Sequence, residues 1–465
     1  MLESNRMDQG SFRDPDGFVY FRDNEVFRCI SSTGIAGYRD AREHGIYERL
    51  WTDQLLIKHR EIETAEHALP GSCACLSYGE RLPMISYPWE WPVSMLLDAG
   101  LMHLDIMQKL EGTGFWLRDA SALNVQFDGE RLVFIDTLSV GRRVADLPWV
   151  GYRQFCSHFV APLSTAKYNG AGVLGLWRHY MDGFPLDLTK SLLPMRARLR
   201  PGLLIHLFLH AAFQGASRTA KRSANAPRKF SNQALHGLVV SLRSTLAALA
   251  HKPRASLWRE YREHRSYTVQ TALAKAAFVQ ASIEKLKPKI VWDLGANTGE
   301  YSLIAAKSGA FVVSLDGDPE CTEALYQQTI ARGRPGVLPL TMDLGNPSPD
   351  MGWALSERAS LQARGPADLV MALALVHHLV FVNCVPLEKI ARWLANLGRY
   401  LLIEYIPRSD PMTEQLISAF RQGAHPYNLE LFRSSFFNWF TPLEESKLDN
   451  GRILFLCESR NLQNQ

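Results

Sequence analysis

The sequence predicts an α/β protein of two domains, the C-terminal one built on a mostly parallel, Rossmann-like sheet whose last strand runs antiparallel. Three observations predict it. Residues 290–299, IVWDLGANTG, pass from an apolar run through a glycine turn into a helical pattern, as a buried parallel strand does when it feeds a helix. The next apolar run, Phe311 to Leu315, ends on Asp316, an acid placed where a β-α-β unit meets the ribose of a nucleotide cofactor. A chain of 465 residues, 46% of them hydrophobic, is also too long for one ordinary domain.

Composition narrows the functional classes. A net charge of +4 with a pI near 8.6 is too mild for a dedicated nucleic-acid binder. Seven cysteines, at positions 29, 73, 75, 156, 321, 384 and 457, make neither a disulfide framework nor a zinc pair, and Cys73 and Cys75 are expected in a reduced loop. The opening MLESNRMDQGSFRDPDG is polar and lacks the apolar core of a signal peptide. The longest apolar stretch, Leu203 to Phe213, is too short to span a bilayer. A cytoplasmic protein without membrane insertion is the expectation. His206 and His210 lie one helical turn apart in that stretch, but Leu207 stands where a zinc protease carries its glutamate, so a packed helix is expected there.

In the N-terminal half, Glu25 to Ile30 reads as a strand bearing Arg28, and the residues after it, with Glu43 and Glu48, as helix. Asn124 to Phe127 and Leu132 to Ile135 read as a hairpin turned at Asp128-Gly129. The spacing from Asp119 to Asn124 to Asp136 resembles the catalytic loop and metal-binding strand end of protein kinases and related small-molecule phosphotransferases. That resemblance implies Asp119 as the base for a hydroxyl proton, and Asn124 and Asp136 as candidate Mg²⁺ ligands, with Mg-ATP as a second cofactor. The rest of the kinase pattern is defective. No glycine-rich loop appears in residues 1–60, Arg28 stands in the usual lysine place with Glu43 or Glu48 as its partner, and Thr137-Leu138 replaces Phe-Gly after Asp136. Residues 1–213 are therefore expected to form a degenerate kinase-like domain that binds a ligand or positions a substrate.

Residues 214–256 read as a basic linker and connecting helix. The linker carries Arg218, Lys221, Arg222, Arg228 and Lys229 as a solvated run, and Leu235 to Leu249 has helical period. Trp258, Tyr261 and Tyr267 form an aromatic group that either lines the cofactor mouth or packs the leading helix, Tyr267 to Leu286.

Residues 257–465 form the second domain. Its turn is D-x-G-x-x-x-G, with Asn297 where a dinucleotide fingerprint has its middle glycine, and the carboxylate of Asp293 suits a cation or amino group better than a pyrophosphate. Val337 to Leu340 leads to Asp343; Pro366 onward reads as strand four, reaching His377 and His378; Tyr400 to Glu404 is strand five. Phe436 to Phe440 and Arg452 to Cys457 are the expected closing strands. The series resembles the class I S-adenosylmethionine-dependent methyltransferases. The fold expected is thus a C-terminal class I methyltransferase sheet preceded by an α+β kinase-like domain. The resemblance implies S-adenosyl-L-methionine as cofactor, held by Asp293, Gly295, Asn297, Gly299, Asp316 and Asp343. The turn would meet the methionyl part, Asp316 the ribose hydroxyls and Asp343 the adenine amino group. His377 and His378 are the candidate general bases, with Glu404 behind them. No Asn-Pro-Pro-Tyr or Asp-Pro-Pro-Tyr string follows strand four, which disfavours amino methylation of bases or glutamine by that arrangement.

Both halves together, with SYPWEW at Ser86 to Trp91, YRQFCSHFVAPL at Tyr152 to Leu163, WDLGANTGEYS and ALALVHHL, are similar to the rhizobial host-specific nodulation proteins and their bacterial relatives, nearly end to end. That resemblance implies a methyltransferase acting in host-specific nodulation on a small-molecule, glycan or other signal- or surface-related acceptor. Two alternatives stay open: a non-catalytic cofactor- or nucleotide-binding regulator, and a phosphotransferase using the N-terminal site.

Overall fold

A computed structural model describes residues 6–63, 71–144, 147–210, 230–253, 268–333, 336–420 and 426–461. The basic residues Arg218 to Lys229 and the aromatic group Trp258, Tyr261 and Tyr267 lie outside the described residues. The chain divides into two compact units, one of Met1–Lys252 with Met351–Arg358, the other of Pro253–Asp350 with Ala359–Gln465.

The first unit opens with an antiparallel sheet made of β1 (Arg6–Met7), β2 (Gly17–Arg22), β3 (Glu25–Ile30), β4 (Arg60–Ile62) and β5 (Ala74–Glu80), in the order β1-β2-β3-β5-β4. Tyr20, Phe27, Cys29 and Cys75 pack as one buried cluster, with the Tyr20 and Phe27 rings stacked at 5.1 Å. Cys75, expected in a loop, lies in β5 directly opposite Cys29. A continuous buried run, Ala74 to Ser77, and not the short Cys spacing, decides its place. Helices Ile35–Glu43 and Ile46–Thr52 follow β3, and the apolar helix Val93–Lys109 buries Met95, Leu96, Leu104 and Ile106. Beyond it, β6 (Phe115–Leu117) pairs with β9 (Val140–Arg142), and β7 (Val125–Phe127) pairs with β8 (Leu132–Phe134) in the expected hairpin. The first unit is thus α+β. The helix Asn232–Ala247, expected to connect the halves, packs on Val93–Lys109 inside the first unit, where Arg243 pairs with Asp105 and His236 with Glu111. His206 is hydrogen-bonded at both ring nitrogens, to Tyr152 at 2.9 Å and Ser241 at 2.8 Å.

The second unit is built on β10 (Ile290–Leu294), β11 (Phe311–Asp316), β12 (Val337–Thr341), β13 (Ala367–Ala372), β14 (Gly398–Tyr405), β15 (Phe440–Lys447) and β16 (Ile453–Ser459). They form one sheet in the order β12-β11-β10-β13-β14-β16-β15, with β10 to β14 parallel and β16 antiparallel to both its neighbours. That order and that single reversal make it a class I methyltransferase sheet. Val291, Val312, Leu369, Met371, Leu402 and Leu456 pack with Val279 and Ile283 of the helix Val269–Leu286. Such strands are covered on both faces, which is why they read as unbroken apolar runs.

One expected strand is a helix. Leu429–Phe437 is helical and β15 begins only at Phe440, because Phe432 and Phe436 recur at helical spacing and stack at 4.4 Å. Among the described residues no helix is long and apolar enough to cross a membrane.

Candidate cofactor site

The turn after β10 is shaped by three residues with positive φ: Gly295 at 75°, Asn297 at 50° and Gly299 at 77°. Asparagine tolerates that region better than most side chains, which explains its use at the centre of the turn. The N–H groups of Gly295 and Ala296 both donate to the carbonyl of Leu315, at 2.8 and 3.0 Å, and so tie the turn to β11. Glycine is required twice over at position 299, since a Cβ there would come within 2.4 Å of Leu325 Cδ1.

Asp316 ends β11 partly buried beside this turn. Its Oδ2 accepts from Asn297 N at 2.7 Å and its Oδ1 from Asp318 N at 2.8 Å. Each carboxylate oxygen has two acceptor directions, so one on each remains for a pair of ribose hydroxyls. This acceptor set therefore fits the ribose of S-adenosylmethionine. Burial pushes the Asp316 pKa up to about 6, against the two backbone donors. Asp343, just past β12, is exposed and accepts from Gly345 N at 2.8 Å.

Asp293 departs from the direct cofactor contact expected. It is 2% exposed, and its Oδ2 accepts from Ser302 Oγ at 2.6 Å, with Ser314 Oγ bonded to Ser302 Oγ at 2.8 Å. The side chain points into the sheet–helix interface and anchors the helix Glu300–Lys307 to β10. Burial raises its pKa to about 6, opposed by Ser302 and then Lys275.

At the carboxyl ends of β13 and β14 the surroundings are drier. His377 and His378 lie in the helix Val376–Phe381 with ring centroids 4.2 Å apart. His377 is 2% exposed, and its Nδ1 has no hydrogen-bond partner among the described residues. Burial drives its pKa well below 6.5, helped by His378, Arg452 and Lys275. Burial also brings His378 down to about 4. Both rings are neutral at physiological pH.

Glu404 does not stand free behind them as a base. Lys275 Nζ donates to its Oε2 at 2.7 Å, Arg452 Nη1 lies 3.5 Å from its Oε1, and Arg452 continues to Asp410 Oδ2 through Nη2 at 2.9 Å and Nε at 3.0 Å. A carboxylate held between two buried cations has its oxygens occupied. Lys275 also lies 4.8 Å from the centre of the Tyr301 ring. Sequence reasoning missed it, although a signal was present: it shares the buried face of its helix with Thr271, Val279, Ser282 and Ile283. Arg452, in the turn before β16, carried none.

In the first unit Arg28, buried on β3, places Nη1 2.6 Å from Asp136 Oδ1 and bonds Asp14 through Nη2. Asp136 also accepts from Leu138 N at 3.2 Å and from Ser139 Oγ, while Asn124 Nδ2 reaches Ser139 Oγ at 3.4 Å. Asp119 accepts from Ser121 N at 2.8 Å, and burial raises its pKa. Glu43 and Glu48, expected as partners of Arg28, are exposed, and two aspartates take their place. Arg28 engages Asp136 Oδ1, Ser139 engages its Oδ2, and Asn124 reaches Ser139 through Nδ2.

No family model matches the chain. Among curated proteins, nodulation protein NoeA of Rhizobium meliloti (strain 1021) is 31% identical over 433 residues, 92% of this chain and 90% of that protein. The chain belongs to the NoeA family. The NoeA match runs through both units, since it leaves too little of the chain unaligned to omit either. Among solved structures, WbdD is 15% identical with a TM-score of 0.31, covering 44% of this chain and 43% of its own, so the chain spans less than half of that protein's length. The magnesium protoporphyrin IX methyltransferase ChlM from Synechocystis PCC 6803 with bound SAH is 21% identical with a TM-score of 0.31, covering 43% of this chain and 93% of its own. The N-methyltransferase NodS from Bradyrhizobium japonicum WM9 is 10% identical with a TM-score of 0.30, covering 41% and 97%.

Proposed function

We propose that this NoeA-family chain is an S-adenosylmethionine-dependent methyltransferase acting in the cytoplasm, in host-specific nodulation, on a signal- or surface-related acceptor. The observation that carries the reading is the Asp316 carboxylate, fixed by Asn297 N and Asp318 N beside the glycine turn, with acceptor directions left over for a ribose. Asp316 would hold the ribose, the Gly295 to Gly299 backbone the methionyl part, and Asp343 the adenine edge. When bound, the cofactor supplies an electrophilic methyl carbon on its sulfonium. The chain's task is then to orient an acceptor in line with that carbon, exclude water and receive a proton.

His377 takes the proton in this reading, as a neutral imidazole whose Nδ1 has no competing partner among the described residues. Glu404 acts through others: it holds Lys275 and Arg452, which in turn bear on His377. The kinase-like unit, with Asp136 closed by Arg28, presents or selects the acceptor and does not transfer phosphate.

The test is methyl transfer. The full chain would be incubated with S-adenosylmethionine tritiated in its methyl group and a cell extract from the source bacterium. Label should enter a product with wild type, and fall at least about a hundredfold with His377→Ala, while cofactor binding is retained. Undiminished product with His377→Ala would remove the histidine from the mechanism; absence of product despite cofactor binding would favour a regulatory binder.

A further inference from the structure

From Leu188 to Lys252 the sequence carries eleven Lys or Arg and not one Asp or Glu, although the whole chain has a net charge of only +4. Positive charge is thus concentrated in this part of the first unit, and the rest of the chain is net negative. Two short helices follow each other inside the stretch. Met195–Leu199 is a tight 3₁₀ helix set off by Pro194, and Pro201 opens a second helix that widens to i→i+5 bonding over Leu204–Leu209. They join at Arg200, whose N–H donates to Ala197 O at 3.2 Å and whose carbonyl accepts from Leu204 N at 2.9 Å, and they pack on each other.

His206, Leu207 and Phe208 turn inward, while Leu204, Ile205 and Leu209 are exposed, the wide turn bringing Leu209 back over Leu204. Met195 is 70% exposed and Leu199 83%. Single exposed aliphatic residues need no explanation, but of the nineteen large apolar side chains exposed among the described residues, five fall in these fifteen positions. Arg196, Arg198 and Arg200 are exposed between them. Each is steadied by the fold: Arg196 lies 5.8 Å from the centre of the Tyr168 ring, Arg198 lies 5.2 Å from that of Phe208, and Arg200 Nη1 donates to Ala248 O at 3.3 Å.

We propose that the face formed by Met195–Leu199 and Leu204–Leu209 docks on the surface of a bilayer that contains anionic lipids. Aliphatic side chains edged by arginines suit a membrane interface, where the former enter the headgroup boundary and the latter meet the lipid phosphates. The chain then lies on the membrane and does not cross it, and the attachment does not depend on methyl transfer. Other occupants suit the face less well. A single-stranded nucleic acid would want aromatic side chains on which to stack its bases, and the exposed apolar residues here are all aliphatic. A second copy of the chain, paired about a two-fold axis, would set the three arginines against their own like charges. The sequence that follows, with Arg218, Lys221, Arg222, Arg228 and Lys229, brings no acid to neutralise the face.

The test is flotation of the full chain with vesicles of phosphatidylcholine alone and of phosphatidylcholine mixed with phosphatidylglycerol. Wild type should float with the mixed vesicles, far less with the neutral ones, and be released as salt is raised. Arg196→Gln with Arg198→Gln should bind the mixed vesicles about thirtyfold more weakly. Leu199→Glu with Ile205→Glu should weaken binding at least about tenfold. Both should melt as wild type does, the altered side chains being exposed; if the second melts lower, Leu199→Glu alone gives the reading. No flotation, or equal flotation with both kinds of vesicle, would overturn the proposal. So would unchanged binding by Leu199→Glu with Ile205→Glu, the result expected if the basic run Arg218 to Lys229 alone held the vesicle. Tighter binding to a DNA or RNA oligonucleotide than to the mixed vesicles, or a dimer in sedimentation that Leu199→Glu abolishes, would give the face to another occupant and overturn it as well.

Discussion

Lys275 Nζ lies 2.7 Å from Glu404 Oε2, with the two side chains only 3% and 0% exposed. The contact joins the helix that precedes the sheet to the carboxyl end of β14. Because an ionised group stranded in the interior is strongly unfavourable, the pair fixes how that helix sits on the strands.

Lys275→Met should therefore lower stability by about 3–5 kcal/mol, the cost of breaking a buried pair from one side. Lys275→Met combined with Glu404→Gln should recover part of that loss, because no unpaired carboxylate remains. Urea unfolding of the single and double variants reads the coupling directly; strictly additive losses would show that the two charges do not depend on each other.

Gly299→Ala should weaken both the fold and the cofactor turn. The residue has φ of 77°, and a Cβ would lie 2.4 Å from Leu325 Cδ1. Strain and overpacking of this kind cost about 1–3 kcal/mol each. A variant with an unchanged melting temperature and unchanged cofactor affinity would show that the turn relaxes freely.

Cofactor affinity should fall with acid. The Asp316 pKa is raised from 3.8 to about 6 in the fold, so lowering the pH from 7 to 5 protonates an acceptor the ribose needs. The stability contribution of the same group has the opposite sign: it is full below 3.8 and lost as pH rises through about 6. Titrating S-adenosylmethionine between pH 5 and 7.5 should show weakening on the acid side, with Asp316→Asn giving a flat profile. A flat wild-type profile would separate Asp316 from the cofactor.

In the first unit, buried His103 and His158 have pKa values lowered to about 4 and about 3, chiefly by burial. Their neutral forms contribute stability that is present above 6.5 and lost as the pH falls toward those values. Far-ultraviolet circular dichroism in urea should show the unfolding midpoint falling between pH 6.5 and 4. A midpoint that holds across that window would mean other groups compensate.

Arg28→Ala should destabilise the first unit, by about 1.5–3 kcal/mol, since it leaves the partly exposed Asp136 and Asp14 without the guanidinium that bridges them. A fluorescent ATP analogue with Mg²⁺ should show no saturable binding to wild type and none to Asp136→Asn. Binding to wild type that disappears in Asp136→Asn would reinstate the phosphotransferase alternative.

The strands of the second unit were legible because a parallel sheet covered on both faces writes continuous apolar runs, and the acid ending β11 was legible because its place follows from the turn before it. Phe436 to Phe440 misled because a short apolar run does not distinguish a strand from a packed helix; the i, i+4 stack of Phe432 on Phe436 decides it. Partnerships distant along the chain left almost no trace. Glu404 looks like a free acid at a strand end until Lys275 and Arg452 arrive from far along the chain. Arg28 looks like a lysine substitute awaiting a helix glutamate until Asp14 and Asp136 close on it. Asp293 reads as facing the cofactor, but Ser302 and Ser314 turn it inward.

The most direct measurement is calorimetric titration of the full chain with S-adenosylmethionine, comparing wild type with Asp316→Ala. The account predicts micromolar binding by wild type and an affinity at least about tenfold lower in Asp316→Ala, from the loss of hydrogen bonds to a charged acceptor. No binding by wild type, or equal binding by Asp316→Ala, would contradict it.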